Sequence, residues 1–380
     1  MAKRIRLVCT AAALVPLTVL AAACSSNSNS GSSTPSSTAP KTSTYTGAAL
    51  PTSPAKAAAS ITETGSTLLY PLFGSWATAY QKLFTQVTIT AGGTGSGTGI
   101  ADASTGTVDL GGSDAYLSSS DRTTYPSMMN IAVAISAQQV NYNVPGFKNL
   151  KLDGTVLAQM YSGKITNWNA PAIAALNPGV SLPNLKVVPL HRADSSGDTF
   201  LFTSYLNDQD PSVWASSAVG TTVSWPSVPG ALAETGNSGM VSGCGATKGC
   251  VAYIGISYLA KTTAAGLGQA MLKNGSGAYE SPTSATIAAE AASFTSKTPA
   301  NESISLINGP AATGYPIVNY EYLVVNSKQS SATTTQDIRA LLYWEVTAGQ
   351  SEATYLSAVD FQPLPASVVT LSENQIKKIG

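Results

Sequence analysis

The chain has 380 residues, enough for a large core and two lobes, and only 11% of them are charged. Lysine plus arginine and aspartate plus glutamate stand at 20 each, so no basic surplus favours a nucleic-acid partner.

The N-terminus reads as an export signal over residues 1–23. Lys3, Arg4 and Arg6 precede an apolar run at 7–20, broken by Pro16, and then Ala21-Ala22-Ala23-Cys24. That run is short of the ~20 residues a membrane span needs. The small residues before the cysteine resemble a bacterial lipobox, although the usual leucine three places earlier is Ala21 here and Leu20 lies one residue further back. On that reading Cys24 is lipidated, and the protein is anchored on the extracytoplasmic face of the cell membrane. The alternative is an ordinary Ala-x-Ala signal with an incidental cysteine. Loss of 1–23 takes three of the 20 cations and none of the 20 anions, leaving 17 against 20. Outside the cytoplasm the nearby pair Cys244 and Cys250 reads as a disulfide, whose small loop contributes about 2 kcal/mol. A zinc site would need two ligands more, and His191 stands alone.

Residues 24–58 are Ser, Thr, Asn, Gly and Pro with almost no large apolar side chain, the composition of a flexible tether. Order is expected from about Ser60. A strand at 61–64 turns through Gly65-Ser66-Thr67 into a helix at 68–84, with Leu69, Leu72, Phe73, Trp76 and Tyr80 on one face and Pro71 in the first turn. A strand at 87–90, a glycine run at 92–99, a short helix at 100–104 and a strand ending near Asp114 follow. Two strands, 131–135 and 140–144, close at Pro145-Gly146. Helices at 156–161 and 170–176 precede an apolar run at 187–190, a polar loop and a helix at 200–206. A strand at 251–255, a helix at 284–294, a β-rich run at 317–325, a helix at 333–347 and a last helix after Leu371 complete the chain. Strands alternating with helices give an α/β fold.

Three loops share one character. His191-Arg192-Ala193-Asp194-Ser195-Ser196-Gly197-Asp198 lies between a strand and a helix, so backbone N–H groups and the helix dipole favour an oxyanion there. Gly65-Ser66-Thr67-Leu68 opens another helix. Ser96 sits among glycines where backbone approaches a ligand closely, and Asp114 follows Gly-Gly-Ser. The glycine run fits neither the dinucleotide spacing nor the P-loop ending, which disfavours a nucleotide.

The stretches 63–71, 93–100, 108–118 and 191–200, in order, resemble the PstS family of periplasmic phosphate-binding proteins, closest in look to the mycobacterial and actinobacterial lipoprotein type. The resemblance covers the chain from about Ser60 to its C-terminus. It implies a two-lobed, type II periplasmic-binding-protein fold with mixed sheets, flanking helices and a ligand cleft between lobes. Lobe I is expected from 59–139 and 320–380, lobe II from 140–319, with crossings near 138–143 and 317–322. It implies phosphate ligands at Ser66, Thr67, Leu68, Ser96, Asp114, Arg192, Ser196, Gly197 and Asp198, with Asp194 holding Arg192. It also implies no cofactor, no catalysis, and partners in the permease and ATPase subunits of an ABC phosphate importer. Many family members carry Thr where this chain has Asp198. A carboxylate there repels a dianion unless a ligand proton bridges the two, or else its side chain points away and only its N–H contributes.

The residue types fit that chemistry. Phosphate near neutral pH keeps a proton that sulfate lacks, so a buried Asp114 accepts one and leaves the other facing an unpaired charge. Arg192 suits bidentate oxyanion recognition. The competing readings are a phosphate-ester hydrolase, for which no Gly-x-Ser-x-Gly elbow is present and His191 is the lone histidine, and a binder of another oxyanion such as sulfate.

Overall fold

A computed structural model describes residues 49–380. The export signal, Cys24 and most of the tether lie outside the described residues. β1 (Ala59–Gly65), α1 (Tyr70–Leu83), β2 (Val87–Gly93), α2 (Ser96–Thr105), β3 (Leu110–Ser113) and α3 (Ser119–Thr124) come first. Then come β4 (Met128–Tyr142), β5 (Lys151–Leu152), α4 (Gly154–Tyr161), α5 (Pro171–Leu176), β6 (Val188–Arg192) and α6 (Gly197–Gln209). β7 (Leu232–Glu234), α7 (Gly236–Ala246), β8 (Cys250–Gly255) and α8 (Leu259–Ala264) precede three short strands, β9 (Gly268–Gln269), β10 (Met271–Lys273) and β11 (Tyr279–Glu280). α9 (Ser284–Ala292), β12 (Val318–Asn326), α10 (Ala332–Val346) and α11 (Ala366–Ile376) close the order.

The main sheet runs β2-β1-β3-β12-β4-β8-β6-β7, with β9 also on β4. β1 is parallel to β2 and β3, and β6 is parallel to β7 and β8. Between these parallel sets, β12 and β4 run antiparallel. β4 joins the halves: it pairs with β12 through residues 128–137 and with β8 through 138–142. Helices cover the sheet, giving the mixed, helix-flanked architecture of a two-lobed binding protein.

β4 is one strand where the sequence suggested two. Residues 136–139 contain neither Gly nor Pro to break it, and their polar side chains find partners in the interior, Gln138 Oε1 excepted. Ser136 Oγ donates to Asn319 Oδ1 at 2.7 Å, and Gln138 Nε2 donates to the Asp198 carbonyl at 2.7 Å. α2 begins at Ser96, four residues before the expected start. Glycines inside it let the helix lie on strand backbone: a Cβ on Gly99 would stand 2.7 Å from the carbonyl oxygens of Gly112 and Thr64. The segment expected as tether through 58 is held from its last residues onward. Ala55 N donates to Asp337 Oδ1 at 2.7 Å, and Leu50 packs on the core.

α1 buries Leu72, Phe73, Trp76, Ala77 and Tyr80, the i, i+3, i+4 face seen in the sequence. Trp76 Nε1 donates to the Gly349 carbonyl at 3.0 Å, so its burial leaves no indole N–H unpaired. The effect is to fix the turn at 66–69, which begins the helix and belongs to the site.

Candidate functional site

The carboxyl ends of β1, β3 and β6 and the first turns of α2, α6 and α7 meet at one buried place. β1 and β3 run in the direction of β4 and β6 runs against it, and they belong to the sets that pair with successive parts of β4, so the two sets point their carboxyl ends at one another and three loops far apart in sequence converge there. Every residue expected as a ligand lies in it.

On one side Asp114, 2% exposed, follows β3. Ser66 Oγ donates to its Oδ1, and Ser96 Oγ donates to its Oδ2 at 3.1 Å. Ser66 Oγ in turn accepts the N–H groups of Leu68 at 3.0 Å and Leu69 at 2.9 Å, so the Leu68 N–H is engaged locally. Ser96 Oγ accepts the Asp114 N–H at 3.2 Å. Both hydroxyl protons are thereby turned onto one carboxylate.

On the other side Arg192 ends β6. Its Nε donates to Asp194 Oδ1 at 2.7 Å, one terminal nitrogen pairs with Asp194 Oδ2, and the other donates to Asp198 Oδ2 at 2.9 Å. Three of its five N–H donors are engaged and two remain. The Asp198 side chain points inward, against one of the two expectations for it. It also accepts Asn237 Nδ2 at 2.7 Å and Gln138 Nε2 at 3.1 Å. A wholly buried carboxylate beside a guanidinium and two amides is paired, whereas the same group turned away would lose those partners.

The sides touch. Asn237 Nδ2 donates to Thr67 Oγ1 at 2.9 Å, and its backbone N–H does so at 3.2 Å. Gly97 N donates to the Ser195 carbonyl at 3.1 Å. Gly197 lies directly on the opposite side: a Cβ there would stand 2.6 Å from Asp114 Oδ2 and 2.7 Å from Ser96 Oγ. Only glycine permits that approach. Ser196 Oγ is buried with no hydrogen-bond partner among the described residues.

Burial, then the charge of Asp198, push the Asp114 carboxyl up to about 7, against the hydrogen bond from Ser66. Burial likewise raises Asp198, and Arg192 opposes it. Burial alone would raise Asp194, but the hydrogen bond and charge of Arg192 carry it below its ordinary value. Burial works against the Arg192 charge, yet Asp194 and Asp198 hold its pKa above the ordinary arginine value. The site thus contains one secure cation, already countered by two carboxylates, and one carboxyl, Asp114, poised between its two forms. Neutral donors must supply the rest of any anion's stabilisation.

His191 is engaged elsewhere. Its ring stacks on Trp225 with centroids 4.9 Å apart and an interplanar angle of 17°. Cys244 and Cys250 are bonded, with Cα atoms 5.3 Å apart, tying the end of α7 to the start of β8.

The PBP superfamily domain model matches residues 50–346. The phosphate-binding protein PstS of Haemophilus influenzae is 31% identical over 86% of this chain and 96% of its own length. The chain belongs to the PstS family. A PstS 3 protein of Mycobacterium leprae is 29% identical over 80% of this chain and 82% of its own. In fold, the chain is similar to a phosphate-bound high-affinity periplasmic phosphate-binding protein, PfluDING (TM-score 0.66, 23% identity, 82% of this chain and 92% of that one). A phosphate-binding protein from Stenotrophomonas maltophilia gives a TM-score of 0.65 at 23% identity over 83% and 93% of the two chains.

For a PstS family member the site has participants that the motifs did not reveal. Asn237 opens α7, whose sequence GNSGMVSGCGA is too glycine-rich to read as a helix. Gln138 sits within a strand, and Tyr253 reaches in from β8 to accept the Arg192 N–H at 2.9 Å. The one available signal was polarity inside apolar strands, as at Gln138 and Glu321.

Proposed function

We propose that this PstS family member captures inorganic phosphate outside the cytoplasm and delivers it to the membrane subunits of an ABC importer. One observation carries the reading: a buried Asp114, facing hydroxyls and the N-terminus of α6, shares one enclosed site with Arg192. Names borne by relatives, such as phosphate-binding protein PstS, agree with it. On binding, the hydroxyls of Ser66 and Ser96 turn from Asp114, and the Leu68 N–H from Ser66, to phosphate oxygens, which also take the hydroxyls of Thr67 and Ser196, the N–H groups of Gly197 and Asp198, and the two remaining Arg192 donors. Asp114 accepts the phosphate hydroxyl, and Asp194 and Asp198 fix the guanidinium plane. Sulfate has no proton for Asp114 and meets a buried lone pair, a mismatch of several kcal/mol.

Residues 59–139 and 320–380 form lobe I and 140–319 form lobe II, with β4 and β12 as the crossing strands about which the lobes close. Cys24 carries the lipid, and the tether sets the body off the membrane. The chain binds phosphate and does not hydrolyse its esters: His191, the lone histidine, is stacked on Trp225.

Isothermal titration with phosphate and sulfate, beside a phosphatase assay, tests this. The reading requires one phosphate per chain, sulfate weaker by at least about a hundredfold, and no turnover. Equal affinity for the two anions, or steady release of phosphate from an ester, contradicts it.

A further inference from the structure

The two sides of the site also touch beyond it, on two flanks. On one flank Ser257 Oγ donates to the carbonyl of the wholly buried Leu68 at 2.8 Å. On the other, past the contact of Gly97 with Ser195, the rings of Tyr116 and Phe200 meet edge to face, with centroids 5.6 Å apart and planes at 87°. Aromatic quadrupoles favour that arrangement. Both rings are half-buried, and both border a cavity of about 760 Å³ that Gly97 and Ser195 also line. The first flank is closely packed; the second adjoins open volume, and the ring pair spans it.

Each ring is carried on fixed backbone. Tyr116 lies two residues past Asp114. Before it, Ala115 N donates to Ser113 Oγ at 3.1 Å; after it, Leu117 N donates to Asn130 Oδ1 at 2.8 Å, and Leu117 is wholly buried. Phe200 lies two residues past Asp198, in the first turn of α6. Its neighbour Thr199 ties that turn to β8 through a 2.8 Å hydrogen bond between the Thr199 and Tyr253 hydroxyls. Neither backbone segment is free to follow the other. The rings therefore stay together only while their two supports do.

We propose that Tyr116 and Phe200 are positioning residues that latch the lobes over phosphate: the rings meet as the lobes close and part as they open, so their contact slows release without touching the ligand. The inference rests on the phosphate reading of the site and on the lobe division given above. A contact made only in the closed form adds its free energy to that form alone. Its loss then appears in the dissociation rate and not in the stability of the open, ligand-free protein.

A double-mutant cycle of wild type, Tyr116→Ala, Phe200→Ala and the double variant tests this. It is read by phosphate titration with stopped-flow dissociation, and by melting of the ligand-free proteins. Each single substitution should speed release about threefold to tenfold and weaken affinity to match, with association nearly unchanged. The double variant should release phosphate no faster than the worse single, because the second ring has lost its partner already. Ligand-free melting should show no coupling between the two positions. Tyr116→Phe keeps the ring and should release at the wild-type rate. Independent, multiplying effects on release overturn the latch. So does equal coupling in ligand-free melting, the mark of a contact that never opens, or a Tyr116→Phe protein as fast as Tyr116→Ala. Should an alanine protein not fold, leucine at the same positions completes the cycle. Failure of wild type to bind phosphate refutes the phosphate reading and the latch with it; a wild type that binds phosphate while the ring variants show no coupling refutes the latch alone.

Discussion

The side of the site carried by β1, α2 and β3 is built from hydroxyls, backbone and the single carboxylate of Asp114. The side carried by β6, α6 and α7 is built from a guanidinium clamped between Asp194 and Asp198 and braced by Asn237. The first side has a carboxyl that burial raises to about 7. The second has a cation whose charge is already countered, so it orients donors more than it adds net positive potential. On the proposed reading attraction and discrimination are separated in space: the Arg192 side is to hold an oxyanion, and the Asp114 side to check that it carries a proton.

Substitutions that attack one side and spare the other test that division. The largest effect belongs to Arg192→Ala. It deletes charge-assisted hydrogen bonds and leaves Asp194 and Asp198 unpaired, so phosphate and sulfate affinities should both fall by about a hundredfold or more. Titration calorimetry that finds phosphate affinity intact breaks the comparison outright. Asp114→Asn comes next. It should weaken phosphate about tenfold to a hundredfold while sulfate binds better than to wild type, because an amide donates where the carboxylate only accepts. A parallel fall in both anions would show that Asp114 does not discriminate.

Gly197→Ala sharpens the contact between the sides. The new Cβ would stand 2.6 Å from Asp114 Oδ2, so the sides must separate and phosphate affinity should drop about tenfold, with little change in melting temperature. Equal melting with unaltered affinity would mean that the approach is not required. The smallest effect concerns stability. Glu63, buried in β1, is raised by that burial from an ordinary 4.5 to about 8. A raised carboxyl stabilises the fold fully below about pH 4.5, and the contribution is lost as pH rises through about 8. Glu63→Gln should therefore reduce the fall in melting temperature between those limits, and a profile identical to wild type would place the proton elsewhere.

Most of the fold was legible because its elements advertise themselves. The face of α1 repeats at helical spacing, and the apolar runs of β4, β8 and β12 are bounded by turns. The site's converging loops were legible because glycine, hydroxyl and acid occur together at strand ends, where each residue type has a reason to be. What stayed hidden depended on contacts distant in sequence. β4 runs unbroken through 136–139 because Asn319 and Asp198, far along the chain, engage Ser136 Oγ and Gln138 Nε2. α7 forms despite its glycines because Asn237 is gripped by Thr67, Asp198 and the Gly255 N–H, the last at 2.7 Å. The inward turn of Asp198 needed the positions of Arg192, Gln138 and Asn237 together, which no local pattern encodes.

The most direct test of the division is a crystal structure at saturating phosphate. One tetrahedral anion should lie within about 3 Å of Ser96 Oγ, Asp114 and Arg192 at once, with its hydroxyl on the Asp114 carboxylate. An anion held by Arg192 alone, with Asp114 and Ser96 still bonded only to each other, would contradict it.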